Sequence, residues 1–240
     1  MSTAARKLFH QLSVSCKDCS LGSLCVPHGL DQPDIDKLDE SVGHTKLLHS
    51  GDYLYRQNTS FKSLFALKSG SVKIVTNDPN VGESILGVYL PGEIIGFDGL
   101  SSEVYQCSIQ ALETSNICEI NLDTLQADIP NIYKQLLKHA SKAINHTQTA
   151  GSVNKANAKN RVVSFLLDIA ERYQARGYFH TEFDLYLSRG ELGNLLNLTP
   201  ETISRNIRQL EREKYITLKN NRRVVLNNIE GLKKLNCSPP

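Results

Sequence analysis

The sequence predicts an α+β chain in three parts: an N-terminal β-roll or barrel, a long helix, and a C-terminal winged helix-turn-helix. Three observations predict it. Short β-type runs punctuated by turn residues fill residues 45–120, a stripe at helical period begins at Pro130, and two capped amphipathic helices followed by a hairpin fill residues 188–226. A chain of 240 residues is long enough to bury a substantial core, in one large domain or two ordinary ones. The expected division is a cysteine-rich segment at 1–28, the roll at 29–128, the long helix at 129–154 and the winged helix-turn-helix at 155–240.

In the first segment, CKDCSLGSLC sets Cys16, Cys19 and Cys25 at the spacing C-x2-C-x5-C, and Cys118 follows far downstream. Thiols this crowded near a chain end ask for a ligand or a bridge. The start MSTAARKLFHQLSVSCK has no continuous apolar stretch or small-residue cleavage site, and no apolar run reaches membrane length. The expected compartment is the cytoplasm, with no membrane partner. In a reducing compartment clustered cysteines serve as metal ligands or redox sensors more often than as disulfides. Four thiolates suit a cubane iron-sulfur cluster or a tetrahedral zinc ion, and spacing alone leaves both open. Cys107 reads as a small buried apolar residue and Cys237 as a spare thiol in an irregular tail.

The β-type runs are Tyr53 to Arg56, Leu64 to Lys68, Ser71 to Thr76, Ser84 to Leu90, Cys107 to Ala111 and Asn116 to Ile120. Ser50-Gly51-Asp52, Ser69-Gly70, Asn77-Asp78-Pro79-Asn80 and Pro91-Gly92 separate them. Such regular spacing of short strands predicts an all-β roll.

From Pro130 the period changes. Tyr133, Leu137, Ala140, Ile144 and Thr147 recur at steps of four and three, a narrow stripe suited to a seam between two helices. A further helix is expected from Ala158 to Arg176, stopping at Gly177, with Val162, Phe165, Leu166, Ile169 and Tyr173 on its apolar face.

Ser188-Arg189-Gly190-Glu191 is a capping-box pattern that opens a short helix carrying Leu192, Leu195 and Leu196. Asn197-Leu198 turns the chain. Thr199 is a good N-cap and Pro200 a good first residue for a second helix running to about Lys214. On that helix Ile203, Ile207 and Leu210 form a buried face, whereas Glu201, Ser204, Arg205, Arg208 and Arg212 form a polar one. Its N-terminal end offers a carboxylate for cytosine N4, a hydroxyl, and a guanidinium for guanine O6 and N7. Arg208 and Arg212 suit phosphates. Residues 215–219 and 222–226, joined at Asn220-Asn221, predict a basic wing. From Lys155 onward 15 Lys/Arg stand against 9 Asp/Glu, so a chain of net charge +2 carries its excess where double-stranded DNA is expected. No nucleophile-base pair or phosphate loop points to an enzyme.

CKDCSLGSLC, PGEIIGF, QALETSNICEI around Cys118, and SRGELGNLLNLTPETISR, in that order, resemble the CRP/FNR superfamily of bacterial transcription regulators. Within it, the chain looks like the fumarate and nitrate reduction regulators and the similar anaerobic regulators, over nearly its whole length. The resemblance implies a cyclic-nucleotide-binding-like β-roll, a dimerisation helix and a winged helix-turn-helix. It also implies that Cys16, Cys19, Cys25 and Cys118 hold an oxygen-labile 4Fe-4S cluster. The cluster would favour a homodimer on an inverted repeat of TTGAT-like half-sites, read by Glu201, Ser204 and Arg205. RNA polymerase is the expected partner of such an activator or repressor. Cyclic nucleotide is not expected as a ligand: nucleotide receptors place an Arg-Ser pair where this chain has Val104-Tyr105-Gln106-Cys107-Ser108. The family's acidic seam residue corresponds to Thr147, which implies a weaker bias to the monomer. A zinc- or thiol-redox-dependent regulator on the same scaffold is the alternative.

Overall fold

The computed structural model describes residues 15–122, 129, 131–153 and 156–237. Contacts divide the chain into two units, Met1–Val72 with Tyr89–Ser141, and Lys73–Val88 with Lys142–Pro240.

The first unit opens with helix α1 (Gln32–Ser41), whose N-cap Asp31 accepts a hydrogen bond from Asp34 N at 3.0 Å. Its strands are β1 (Val42–Leu48), β2 (Tyr53–Tyr55), β3 (Leu64–Ser69), β6 (Ile94–Ile95), β7 (Ser108–Ala111) and β8 (Ser115–Ile120). One antiparallel sheet has the order β1-β8-β3-β6, and β2 pairs with β7 in another. In the first sheet β8 is central, with Cys118 opposite Thr45 on one side and Ala66 on the other. Gly70, at φ +86°, makes the turn after β3. A Cβ there would stand 2.3 Å from Ser115 Oγ, so the predicted Ser69-Gly70 turn admits no other residue.

The core beside this sheet is Val26, Leu38, Leu64, Ala66, Ile94, Ile120, Ile129, Ile132 and Leu136. It joins the cysteine segment, α1, the sheet and the start of the long helix α2 (Ile132–Val153). Burial of each such aliphatic side chain contributes about 1.5–3 kcal/mol, so the core fixes four otherwise separate pieces of chain. On α2, Ile132, Gln135 and Leu136 face this core, and Tyr133, Leu137 and Ile144 are exposed. The helix starts at Ile132; Pro130 lies outside the described residues.

In the second unit lie most of the hairpin β4 (Val72–Asp78) and β5 (Gly82–Tyr89), helix α3 (Ala158–Gln174), β9 (Glu182–Asp184), α4 (Arg189–Leu196), α5 (Pro200–Arg212), β10 (Ile216–Lys219), β11 (Arg223–Leu226) and α6 (Ile229–Cys237). Asn157 caps α3 through Asn160 N. This helix ends two residues before its predicted limit of Arg176. It also buries more than one narrow face: Val163 and Leu167 are buried alongside Val162, Leu166 and Ile169, whereas Phe165 and Tyr173 are only half-buried. Cys237 closes α6 instead of lying in an irregular tail.

Candidate metal centre and nucleic-acid interface

Residues 15–29 form a chain of tight turns. Gly22 N donates to Cys19 O, Cys25 N to Leu21 O and His28 N to Cys25 O, each within 2.9–3.0 Å. Leu21 and Val26, at 3% and 1% exposure, anchor the segment from either side of Cys25. Two acidic residues on α1 hold its beginning: Asp39 Oδ1 accepts from Cys16 N at 2.5 Å, and Asp36 pairs with Lys17 at 2.9 Å.

Cys16, Cys25 and Cys118, separated by up to about a hundred positions in sequence, pack on the same apolar core. Each of Cys16, Cys19, Cys25 and Cys118 is a free, partly buried thiol. Burial pushes the Cys16 thiol well above its ordinary range, helped by Asp39, Cys25 and Cys118. Burial likewise pushes Cys25 up to about 12, against a backbone hydrogen bond from Val26 N–H and with help from Cys118 and Cys19. Cys118 is raised by burial, opposed by Lys68 and reinforced by Cys19 and Asp39. Cys118 is thus within electrostatic reach of the cysteines of the N-terminal segment. Among the described residues no group of three or more His, Cys, Asp or Glu side chains stands close enough to grip a metal ion. The donor chemistry nevertheless fits a thiolate-bound group: the soft sulfurs of Cys16, Cys25 and Cys118 on one core, Cys19 in the same segment, and no disulfide among the four.

Cys107 is a different case. Its backbone N–H and that of Gln106 donate to Asp98 Oδ2 at 3.0 and 2.9 Å. Its thiol is pushed up to about 11 by burial and by Asp98. Tyr105, two residues before it, is buried and stacks on Tyr55 at 3.7 Å between ring centroids. The Tyr105 hydroxyl is tied to Ser63, donating to its O and accepting from its N. In this segment a carboxylate of the chain already occupies two backbone donors. A cyclic phosphate would have to displace it and would meet its charge.

The second unit supplies the candidate nucleic-acid interface. Ser188 and Glu191 form the predicted capping box, with Ser188 N donating to Glu191 Oε2 at 2.8 Å and Glu191 N to Ser188 Oγ at 3.2 Å. Glu191 also accepts from Lys73 Nζ at 2.6 Å. Burial pushes its carboxyl up, but the hydrogen bonds from Lys73 and Ser188 outweigh that and hold it below its usual range. Asn194, on the same helix, accepts from Ile85 N and donates to Glu83 O, so α4 is fastened to the β4–β5 hairpin by three side-chain bonds. Arg161 covers the other end of α4, donating to Leu196 O and Asn197 O. Asn197 itself adopts φ +52° in the turn.

That turn fixes the angle between the two helices, and Gly193 permits it. A Cβ on Gly193 would lie 2.5 Å from Leu198 O, a backbone atom that cannot move without opening the turn. Gly193→Ala is expected to destabilise this unit by about 1–3 kcal/mol or more, read as a lowered midpoint in urea unfolding.

Thr199 caps α5 through Thr202 N, with Pro200 as the first helical residue. Ile203, Ile207 and Leu210 are buried as expected, together with Asn206, whose side chain donates to Thr202 O. Glu201, Arg205, Arg208 and Arg212 are exposed, Ser204 is half-buried, and all five line one surface groove. Among the described residues no carboxylate pairs with Arg205, Arg208 or Arg212. The wing forms as predicted, with Asn220 and Asn221 both at positive φ in a turn that matches hairpin twist. Its charge is another matter. A third strand not foreseen from the sequence, β9, pairs with β11 and sets Asp184 against Arg223 in a two-pronged ion pair at 3.1–3.2 Å. Arg223 is therefore committed to the wing's own structure.

Along α2 the seam residues Tyr133, Leu137, Ile144 and Thr147 are exposed and Ala140 half-buried. Thr147 Oγ1 is turned back to Ala143 O at 3.0 Å. Sequence reasoning did not single out Asp39, Lys73, Glu83 or Arg161. Their partners lie 23 to 118 positions away, and no local pattern marks them.

Comparison with known proteins agrees with this architecture. Residues 160–235 match the Crp-like helix-turn-helix domain and residues 45–128 the cyclic nucleotide-binding domain. The chain is 37% identical over 219 residues to the transcriptional activator protein anr of Pseudomonas aeruginosa, covering 90% of each. It is 36% identical over 220 residues to the fumarate and nitrate reduction regulatory protein of Escherichia coli K12, covering 87% of this chain and 88% of that protein. Among solved structures, FixK2 from Bradyrhizobium japonicum has the same fold, with a TM-score of 0.73 at 20% identity over 83% of this chain and all of that one. Among the described residues no helix is long and apolar enough to cross a membrane. From both matched domains and from relatives that are regulators and not enzymes, the chain belongs to the CRP/FNR family of DNA-binding transcription regulators, in the branch of the fumarate and nitrate reduction regulators and Anr.

Proposed function

We propose that the protein is a cytoplasmic, oxygen-responsive transcription regulator in which Cys16, Cys19, Cys25 and Cys118 hold a 4Fe-4S cluster. The observation that carries this reading is the gathering of thiols from the N-terminal segment and from β8 on one core, the core that also seats the start of α2. When bound, such a cluster supplies an oxygen-labile link among the four thiolates. Everything else is done by the chain. Cys16, Cys19 and Cys25 tie their segment to Cys118, and Val26 and Ile132 transmit the resulting packing to α2. Tyr133, Leu137, Ala140, Ile144 and Thr147 then meet the same stripe of a second copy. The homodimer presents two copies of α5 to an inverted repeat with TTGAT-like half-sites. Glu201, Ser204 and Arg205 read bases there, and Arg208 and Arg212 hold phosphates. In oxygen the N-terminal segment is released from β8 and the seam weakens. The division at 1–28, 29–128, 129–154 and 155–240 frames this reading, with RNA polymerase as the further partner.

Purification under nitrogen tests it. About four irons and four acid-labile sulfides per chain, with absorbance lost in air and operator affinity falling with it, are expected. A colourless zinc-loaded protein that binds the operator equally in air and under nitrogen refutes the reading. On the DNA side, Arg205→Ala and Glu201→Ala should each cost about 1–3 kcal/mol at one base pair of the half-site and relax selection there, measured by gel shift against single-base variants. Arg212→Ala should instead weaken all sites alike and lower the salt dependence.

A further inference from the structure

The β4–β5 hairpin is bonded to α3 and α4, yet the matched helix-turn-helix domain, residues 160–235, leaves it out. Strand β5 is the outer strand of its sheet, and among the described residues no strand pairs with its outer edge. Such an edge leaves backbone donors and acceptors open. Here the Asn194 carboxamide covers it as the peptide of a neighbouring strand would, accepting from Ile85 N at 2.7 Å and donating to Glu83 O at 2.9 Å. Residues two apart on a strand turn these groups to the same side, so one side chain reaches both. Lys73 on β4, only 7% exposed, pairs with Glu191 at 2.6 Å. A lysine this deeply placed is stable only with its charge matched. From α3, Arg172 donates to Val88 O at 2.7 Å. The hairpin thus grips α4 by Glu191 and Asn194 and leaves Leu192 and Leu196 to the core.

We propose that the β4–β5 hairpin is the seat on which the DNA-reading helices are held, with Asn194 and Lys73 as positioning residues for operator binding. The inference rests on the reading of α5 as the base-reading helix of a dimer on an inverted repeat, and on nothing about the cysteines. The seat fixes α4, and the closed turn carries α5 with it: Leu198 N donates to Gly193 O at 2.8 Å, and Gly193 has no room even for a Cβ beside Leu198 O. By chain connection alone the reading pair hangs from α2 through α3. The seat adds a second attachment, to a hairpin whose ends run into the first unit at Val72 and Tyr89. Neither Asn194 nor Lys73 is among the residues lining the groove of Glu201, Ser204 and Arg205, so their effect is on orientation. A dimer on an inverted repeat must place two reading pairs at once, and a pair freed from its seat has more orientations to give up when the second half-site is engaged. A single half-site asks for no such matching.

The experiment uses the full chain purified under nitrogen, as wild type, Asn194→Ala and Lys73→Met. Affinity is measured by fluorescence anisotropy for a duplex carrying two TTGAT-like half-sites as an inverted repeat and for a duplex carrying one. Thermal melts and amide hydrogen exchange across residues 83–88 accompany it. Asn194 is an exposed residue and alanine is the better helix former, so α4 is expected to stay folded in Asn194→Ala. That variant should bind the inverted repeat about tenfold more weakly than wild type, with half-site affinity and melting temperature unchanged. Exchange across residues 83–88 should quicken, because Ile85 N–H has lost its acceptor. Lys73→Met should show the same selective loss on the inverted repeat. Unchanged or tighter binding of the inverted repeat by both variants overturns the proposal. An equal fall on the two duplexes also overturns it, since that is the mark of a damaged fold and not of a lost orientation. If the wild type itself does not prefer the inverted repeat, the operator reading has failed and this inference falls with it; a wild type that does prefer it, matched by both variants, removes only the seat.

Discussion

Cys118→Ser is expected to abolish iron uptake, from about four irons per chain to less than one, while the β-roll stays folded. The substitution exchanges one second-row atom for a slightly smaller first-row one, on a strand held from both sides. Cys118 lies opposite Thr45 on β1 and Ala66 on β3, and its strand is anchored by Ile117 and Ile120, at 0% and 2% exposure. Placing a hydroxyl at this half-buried position costs about 1–3 kcal/mol at most, which a domain with this core survives. What is lost is the only proposed ligand not carried by residues 16–25. With three sulfurs on a turn-rich segment and none on the sheet, nothing inorganic joins the segment to the roll. Cys107→Ser is the matched control. Its backbone is engaged with Asp98 and its thiol lies outside the proposed ligand set, so full iron content and unchanged absorbance are expected there. Iron and sulfide assays under nitrogen, with melting curves of the cluster-free proteins, decide between them. A Cys118→Ser protein that retains the complete spectrum would falsify the ligand assignment.

The sequence made most of the DNA-facing side legible because its signals are local. A capping box, a proline at the first turn and a heptad-like apolar face act within one helix. The two helices and their turn accordingly stand where the pattern puts them, with Ser188 and Thr199 as caps. Elements held together by distant residues were not legible. Strand β6 is only Ile94–Ile95, too short to alternate, and β9 is three residues long and exists because β11 pairs with it. Strand β1 mixes Gly43, His44 and Lys46 into a run that reads as loop, yet β8 completes it into a strand. Helix α1 has few apolar residues and is secured by Leu38 and its Asp31 cap. The wing and its turn are where the pattern puts them, but the expected basic character is offset, because Asp184 on β9 is the partner of Arg223. The same limit applies to the cysteines. Spacing showed that three thiols are crowded; only the fold brings Cys118 onto the core on which Cys16 and Cys25 pack.

Replacing Leu137 and Ile144 together by glutamate is expected to give a folded protein that no longer dimerises when iron-loaded. In the single chain these side chains are 70% and 56% exposed, and Tyr133 is 46% exposed. The attachment of the start of α2 to the first unit runs instead through Ile132 and Leu136, which the double substitution leaves untouched. Covering one such aliphatic side chain contributes about 1.5–3 kcal/mol, and a two-fold seam covers each residue twice. Even with half of that area effective, dimerisation should weaken by about a hundredfold or more, since each 1.4 kcal/mol is a factor of about ten. Glutamates facing their own copies across the seam add repulsion to the lost burial. Sedimentation under nitrogen should then show a monomer with a full iron complement, and affinity for the inverted repeat should fall to that for an isolated half-site. A double variant that still sediments as a dimer would place the interface elsewhere. Thr147 allows the opposite test on the same stripe. Its hydroxyl is turned back to Ala143 O and contributes no charge, so the cluster-free protein has little repulsion at this point to keep it monomeric. Thr147→Asp should therefore raise the cluster-free dimer dissociation constant more than the iron-loaded one. The contrast between air and nitrogen in operator binding should widen.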